Sequence, residues 1–243
     1  MRILLYVDGR IGFYALNETL SSNIADSVAV VKDLEFNFPI PDNIKVFSFE
    51  SWTDKLIDFS NEFDVIIFAW WPRIAPAVFL RKIKPKIYNL HPSLLPYGRG
   101  KDPNFWALVD GTPFGVSIHE VSSQLDSGPI VAQSKIEYGW EDSGETLYKK
   151  AINEIENLFK EFLSDLPSIL MKSFENQADY GWPIRKRKDM IEKSHIQLDH
   201  SYTGRELLNI LRARTFEGHP SAYFTDAGLN YEVRIEIRKL YDS

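Results

Sequence analysis

Short apolar runs alternate with amphipathic helical patterns through the first 166 residues, and that alternation restricts the fold more than any other feature. A strand, a helix and a second strand return the chain in the same direction, so the pattern predicts a mainly parallel sheet with crossover helices. Residues 3–7, 25–31, 65–70, 86–90 and 115–121 read as strands. Residues 51–63 read as a helix that packs Leu56, Ile57 and Phe63 on the sheet. The strongest helix signal opens at Asp142-Ser143-Gly144-Glu145, a capping pattern. Its buried stripe is Leu147, Ala151, Ile155, Leu158, Phe162 and Leu166, spaced by three and four.

After Pro167 the pattern changes. Residues 176–201 are polar, basic and rich in turn formers, as a connector would be. Residues 204–214 form a short amphipathic helix pattern. Over residues 231–239, Val233, Ile235 and Ile237 alternate with Glu232, Arg234, Glu236 and Arg238, the pattern of a strand with one wet face. With residues 222–224 and the Asp226-Ala227-Gly228 turn, that strand predicts a β-hairpin whose exposed edge suits pairing with a second copy. The expected class is α/β: a catalytic domain over residues 1–170, then a connector and a small C-terminal α+β subdomain over residues 171–243.

Composition narrows the functions. A formal net charge of -6 argues against broad nucleic-acid binding, which needs a basic face to displace counterions. The one basic run, Arg185-Lys186-Arg187-Lys188, reads as a solvated loop. The absence of cysteine removes disulfides, thiolate nucleophiles and cysteine-ligated zinc together. The opening residues read as a first strand cut off by Asp8-Gly9-Arg10, not as a signal peptide, and no apolar window is long enough to span a bilayer. The expectation is a cytoplasmic protein with no membrane or nucleic-acid partner and no metal.

The chemistry concentrates in Asn89-Leu90-His91-Pro92-Ser93-Leu94-Leu95-Pro96 and, further on, Leu125-Asp126-Ser127-Gly128-Pro129. Ligands of open parallel sheets bind at the carboxyl ends of strands, where Asn89 and His91 fall. Two apart on an extended backbone, they point the same way. Taken singly, each has a plain structural reading: His91 as a strand cap, Asp126 as a turn former, Asn89 as a partner for loop peptide groups. Together, an amide donor, an imidazole and a carboxylate suit acyl transfer to an amine.

The two strings resemble the folate-dependent formyltransferase family, marked by Asn-x-His-Pro-Ser-Leu-Leu-Pro and a later Asp-x-Gly. The resemblance covers residues 1–166, most strongly 64–150. It implies a Rossmann-like catalytic domain that moves a formyl group from 10-formyltetrahydrofolate to a primary amine. It makes Asn89, His91 and Asp126 the catalytic trio, and Trp71, Arg73, Ile74, Ala75, Gln124 and Leu125 part of the segments whose backbone binds the pterin.

Among the relatives, a tRNA-directed enzyme would carry a larger basic C-terminal domain, and a glycinamide ribonucleotide formyltransferase would leave the connector and hairpin unexplained. His119 lies where the latter enzymes carry a similar histidine, with a packed core histidine as the equal alternative. Residues 212–216 and 220–224 resemble the tail of sugar N-formyltransferases, so the expected acceptor is a nucleotide-linked amino sugar, by analogy dTDP-4-amino-4,6-dideoxyglucose on the way to bacterial O-antigen. Glycinamide ribonucleotide formylation and formyltetrahydrofolate hydrolysis stay open as alternatives. A nucleoside diphosphate needs cations and an aromatic plane; Arg10, Arg99 and Lys101 with Tyr97 are the substrate-binding candidates, while Phe105 and Trp106 read as core before they read as ligand planes. The expected assembly is a homodimer.

Overall fold

Residues 1–178 and 181–240 are described by the computed structural model. The chain runs β1 (Arg2–Val7), α1 (Gly9–Ser21), β2 (Ser27–Lys32), β3 (Lys45–Ser48), α2 (Asp54–Ser60), β4 (Val65–Ala69), α3 (Ala77–Lys82) and β5 (Lys86–His91). It continues through α4 (Pro103–Asp110), β6 (Phe114–Glu120), β7 (Ile130–Ile136), α5 (Gly144–Leu170), α6 (Arg187–Lys193), α7 (Gly204–Ala213), β8 (Ala222–Asp226) and β9 (Leu229–Val233).

Seven strands form one sheet in the order β3-β2-β1-β4-β5-β6-β7. Strands β1 to β5 pair in parallel, with Leu4 between Ala29 and Ile66, and β5 meets β6 antiparallel. Val65 to Ala69 and the last five residues of β1 are wholly buried, which is why both read as unbroken apolar runs rather than alternating ones. Each large side chain so buried contributes roughly 1.5–3 kcal/mol. The chain winds outward from β1 to β3 and then crosses back to β4, so the strand order reverses between β1 and β4. Crevices at such reversals, at the carboxyl ends of the strands, are where ligands of this class of sheet bind.

By its contacts the chain divides into two units. The first comprises residues 1–91, 117–134 and 154–178, and the second residues 92–116, 135–153 and 179–243. The first holds the body of the sheet and a cluster of aromatic side chains. Trp71 stands edge-on to Tyr6 and Phe49, with ring centres 5.1 and 5.0 Å apart. The second holds α4, α6, α7 and the β8–β9 hairpin around Ile196, Ile210, Leu211 and Ala222. Thr203 and Glu206 cap α7 reciprocally, the Glu206 N–H donating to the threonine hydroxyl and the Thr203 N–H to the carboxylate.

Several expectations shift. Asp8-Gly9-Arg10, expected only to cut off the first strand, already opens α1, with Asp8 at its N-cap. A Cβ at Gly12 would lie 2.8 Å from that of Val7, so this glycine permits close helix–strand packing. The edge strand β3 and the half-exposed β7 were not legible as strands. The connector contains α6, and the strand expected at 231–239 pairs with β8 only through Leu229–Val233. The alternation persists beyond it, with Ile235 and Ile237 half-buried and Arg234, Glu236 and Arg238 exposed. Among the described residues no helix is long and apolar enough to cross a membrane.

Candidate active site

Asn89 and His91 project from β5 to one face, as their spacing requires, and His91 is buried. The antiparallel join adds a third side chain. Register sets Asn89 directly opposite His119 of β6, and cross-strand partners share a face. The Asn89 Nδ2 lies 3.1 Å from His119 Nε2, and His119 Nδ1 donates to the Glu120 carbonyl at 2.9 Å. The two imidazoles stand nearly perpendicular, 6.0 Å apart.

Asp126 comes from the turn between β6 and β7, and its backbone is left-handed, with φ of 51°. Its buried carboxylate Oδ1 lies 3.7 Å from His91 Nδ1 and 3.7 Å from His119 Nε2. Donor atoms of these three residues fall within 4.8 Å of one another, close enough to surround a divalent ion. The same spacing places a carboxylate against two imidazoles for orientation and proton traffic.

The turn is held from several sides. The hydroxyls of Ser122 and Ser127 both donate to the Gln124 carbonyl at 3.0 Å. The Gln177 amide donates to the carbonyls of Asp126, at 3.0 Å, and Gly128, at 2.7 Å. Any Cβ at Gly128 would collide with the Glu120 carbonyl oxygen, so the Asp-x-Gly string needs its glycine for a close approach of backbone to backbone. Sequence reasoning missed Gln177, whose signal is a lone amide about fifty residues downstream in a segment without pattern.

The remaining candidates are placed as follows. Trp71 lies in the aromatic cluster with its indole N–H buried and, among the described residues, without a hydrogen-bond partner. Arg73 forms a two-point ion pair with buried Asp33, one contact at 3.1 Å, and stacks on Phe49 at 5.1 Å. The Arg73 guanidinium holds the Asp33 carboxyl below the usual carboxylate range. Ile74 and Gln124 are exposed, and Ala75 and Leu125 half-buried. Arg10 pairs with Glu156 at 3.1 Å on the wall of a cavity of about 280 Å³ that Phe13 and Tyr14 also line.

Tyr97, Arg99 and Lys101 belong to the second unit. The Tyr97 ring lies 5.0 Å from that of Trp182, Arg99 is buried and Lys101 exposed. Backbone bonds tie residues 99–101 to Arg185, at 3.0 and 2.9 Å. The basic run is therefore not a plain solvated loop. Arg185 lies 3.8 Å over the Trp106 ring and pairs with Asp110, and Arg187 pairs with Asp102. Phe105 and Trp106 are buried, as core residues are.

Residues 48–163 match the formyl transferase family, and residues 189–239 match the N-formyltransferase dimerization C-terminal domain. A dTDP-4-amino-4,6-dideoxyglucose formyltransferase of Mycobacterium tuberculosis is 28% identical over 188 residues, covering 76% of this chain and 77% of that protein. A 4-N formyltransferase from Francisella tularensis shares the fold with a TM-score of 0.80 over 98% of each chain, at 23% identity. An N-formyltransferase from Helicobacter canadensis, solved with folinic acid and dTDP-3-aminofucose, does so with a TM-score of 0.69 at 20% identity, covering 93% of this chain and 84% of that one. The two matched segments, residues 48–163 and 189–239, together make up most of the chain and both are formyltransferase domains, so this chain belongs to the formyltransferase family.

Proposed function

We propose that this chain transfers the formyl group of 10-formyltetrahydrofolate to the amine of a dTDP-linked 4-amino-4,6-dideoxyhexose. The observation that carries the reading is the convergence of Asn89 and His91 with Asp126 in one buried cluster of the first unit. The relative's named substrate supports the choice of acceptor.

Folate supplies the formyl group; the chain's residues position it, receive developing charge and move the proton. As the amine nitrogen bonds to the formyl carbon, the formyl oxygen gains charge, and an Asn89 N–H donates to it. The amine loses a proton and the departing folate nitrogen gains one. His91, with Asp126 behind it, carries that proton. The backbone of Trp71, Arg73, Ile74 and Ala75 and of Gln124 and Leu125 holds the pterin, a planar group with donors and acceptors along its edges. The fit has one physical handle, the indole N–H of Trp71, buried in an aromatic wall without a partner among the described residues. The Arg73 guanidinium is committed to Asp33, so that residue contributes through its main chain.

Tyr97 supplies a plane for the nucleobase, and Arg99 and Lys101 the cations for the diphosphate; Arg10 is a weaker cation because Glu156 already engages it. Residues 1–170 carry the catalysis and residues 171–243 the connector and tail. A homodimer forms through residues 189–239. The enzyme works in the cytoplasm, where folate cofactors and nucleotide sugars occur, and its product enters surface polysaccharide such as O-antigen.

Mass spectrometry tests this directly. The purified protein is incubated with 10-formyltetrahydrofolate and, separately, dTDP-4-amino-4,6-dideoxyglucose, a dTDP-3-amino sugar, a UDP-amino sugar, glycinamide ribonucleotide, or no acceptor. One added formyl group on the first sugar is the expected result. Formylation of glycinamide ribonucleotide alone, or folate deformylated without an acceptor, overturns it.

A further inference from the structure

We propose that His119 is a positioning residue that sets which way the Asn89 carboxamide faces. The proposal rests on the reading of Asn89 as the donor to the formyl oxygen. A carboxamide has a donor end and an acceptor end of nearly equal size, so shape alone does not choose between them. Only the donor end stabilises a developing oxyanion, so the choice must be made before substrate arrives.

The choice follows from a fixed tautomer. The Glu120 carbonyl only accepts hydrogen bonds, so His119 Nδ1, 2.9 Å away, must carry a proton. In the neutral ring, Nε2 is then an acceptor, and it faces Asn89 at 3.1 Å. Asn89 must therefore present Nδ2 and donate one N–H to His119, which directs the second N–H and the carbonyl of the amide. The Asp126 carboxylate, at 3.7 Å from the same Nε2, lies beyond hydrogen-bond distance. His119 is held rigidly enough for this task, at 2% exposed and opposite Asn89 in the ladder. The Glu120 carbonyl that fixes the tautomer is also the group that excludes a side chain at Gly128, so one peptide unit sets both His119 and the turn that carries Asp126.

Two substitutions separate positioning from packing. His119→Asn can still donate to the Glu120 carbonyl but is too short to accept from Asn89, whereas His119→Gln returns an acceptor near the place of Nε2. His119→Asn is expected to lower kcat by about 10- to 100-fold, with KM for both substrates within about threefold, and His119→Gln to recover most of the loss. In an Asn89→Ala background, His119→Asn should lower kcat no further. Long-range ¹⁵N–¹H correlation on the labelled parent should show a neutral ring protonated at Nδ1. Unchanged kcat in His119→Asn, equal losses in the two variants, additive losses with Asn89→Ala, or a proton at Nε2 would each overturn the proposal. Failure of the underlying reading looks different: Asn89→Ala would itself keep near-normal turnover.

Discussion

The Asp126 carboxylate is flanked by two imidazole nitrogens at equal distance while its own backbone is left-handed, so its charge and its shape can be tested apart. Asp126→Asn keeps the shape and a residue type that tolerates this backbone, but removes the charge. Turnover should fall by a factor on the order of 10² or more with the melting temperature nearly unchanged. Asn89→Ala and His91→Asn should cost as much, because each removes an interaction made in the transition state. Steady-state kinetics on folded variants checks all three, and a folded variant with near-normal kcat removes its residue from the mechanism. Spacing alone left each of these residues a plain structural reading; the resemblance of the Asn-x-His-Pro-Ser-Leu-Leu-Pro and Asp-x-Gly strings to a family singled them out together. The partnership of Asn89 with His119 was not legible. It depends on the register of an antiparallel join, which no local spacing reveals. The pairing of Arg73 with Asp33 was not legible for a similar reason, because its partner lies forty residues away in the chain.

Elements that move no protons still decide whether the site forms. The turn over residues 122–128 is tied by serine hydroxyls from within and by the Gln177 amide from outside. Gln177→Leu keeps the bulk and removes both donors, so kcat/KM should fall about tenfold, and hydrogen exchange should quicken at Asp126 and Gly128 while the central strands stay protected. Equal exchange in parent and variant would remove Gln177 from the support of this turn. The loop that begins at Asp33 invites a different test. Its carboxyl is held low chiefly by the Arg73 hydrogen bond, against the cost of burial. A folded-state value below the unfolded one gives stability that is present at neutral pH and lost as pH falls through the folded value. Asp33→Asn should therefore destabilise by about 1 kcal/mol at pH 7, a figure reduced because Arg73 is partly solvated, and the gap should narrow towards pH 3. Urea denaturation at both pH values measures it; a gap that stays constant would mean that shape, not charge, is lost. Long and strongly patterned elements were readable, α5 above all. β3 and β7 were not, because an exposed edge strand and a half-exposed one lack the apolar run that marked β1 and β4.

At the scale of the whole molecule, the tail presents a surface that the monomer does not satisfy. Leu229 and Tyr231 are exposed on β9, and the strand-like alternation of half-buried and exposed side chains continues past Val233, where the ladder with β8 ends. Extended backbone with apolar side chains at a sheet edge is a template for pairing with another chain, and a soluble protein either protects such an edge or uses it. Here the edge falls inside the segment that matches a dimerization domain, so use is the expectation. Light scattering after size exclusion should give twice the chain's 28.1 kDa for the parent. Leu229→Asp with Tyr231→Asp places like charges opposite one another across any two-fold contact of this edge, and should return the mass to that of one chain. Asn89, His91, His119 and Asp126 all come from one chain, in the unit that does not contain the hairpin. The single-chain variant should therefore keep kcat within about threefold of the parent once assayed above the concentration at which it stays folded. A mass that stays doubled moves the pairing surface elsewhere in the tail. A mass that falls together with kcat makes assembly part of what holds the site in order, a dependence that neither the motif strings nor the trio's geometry contains.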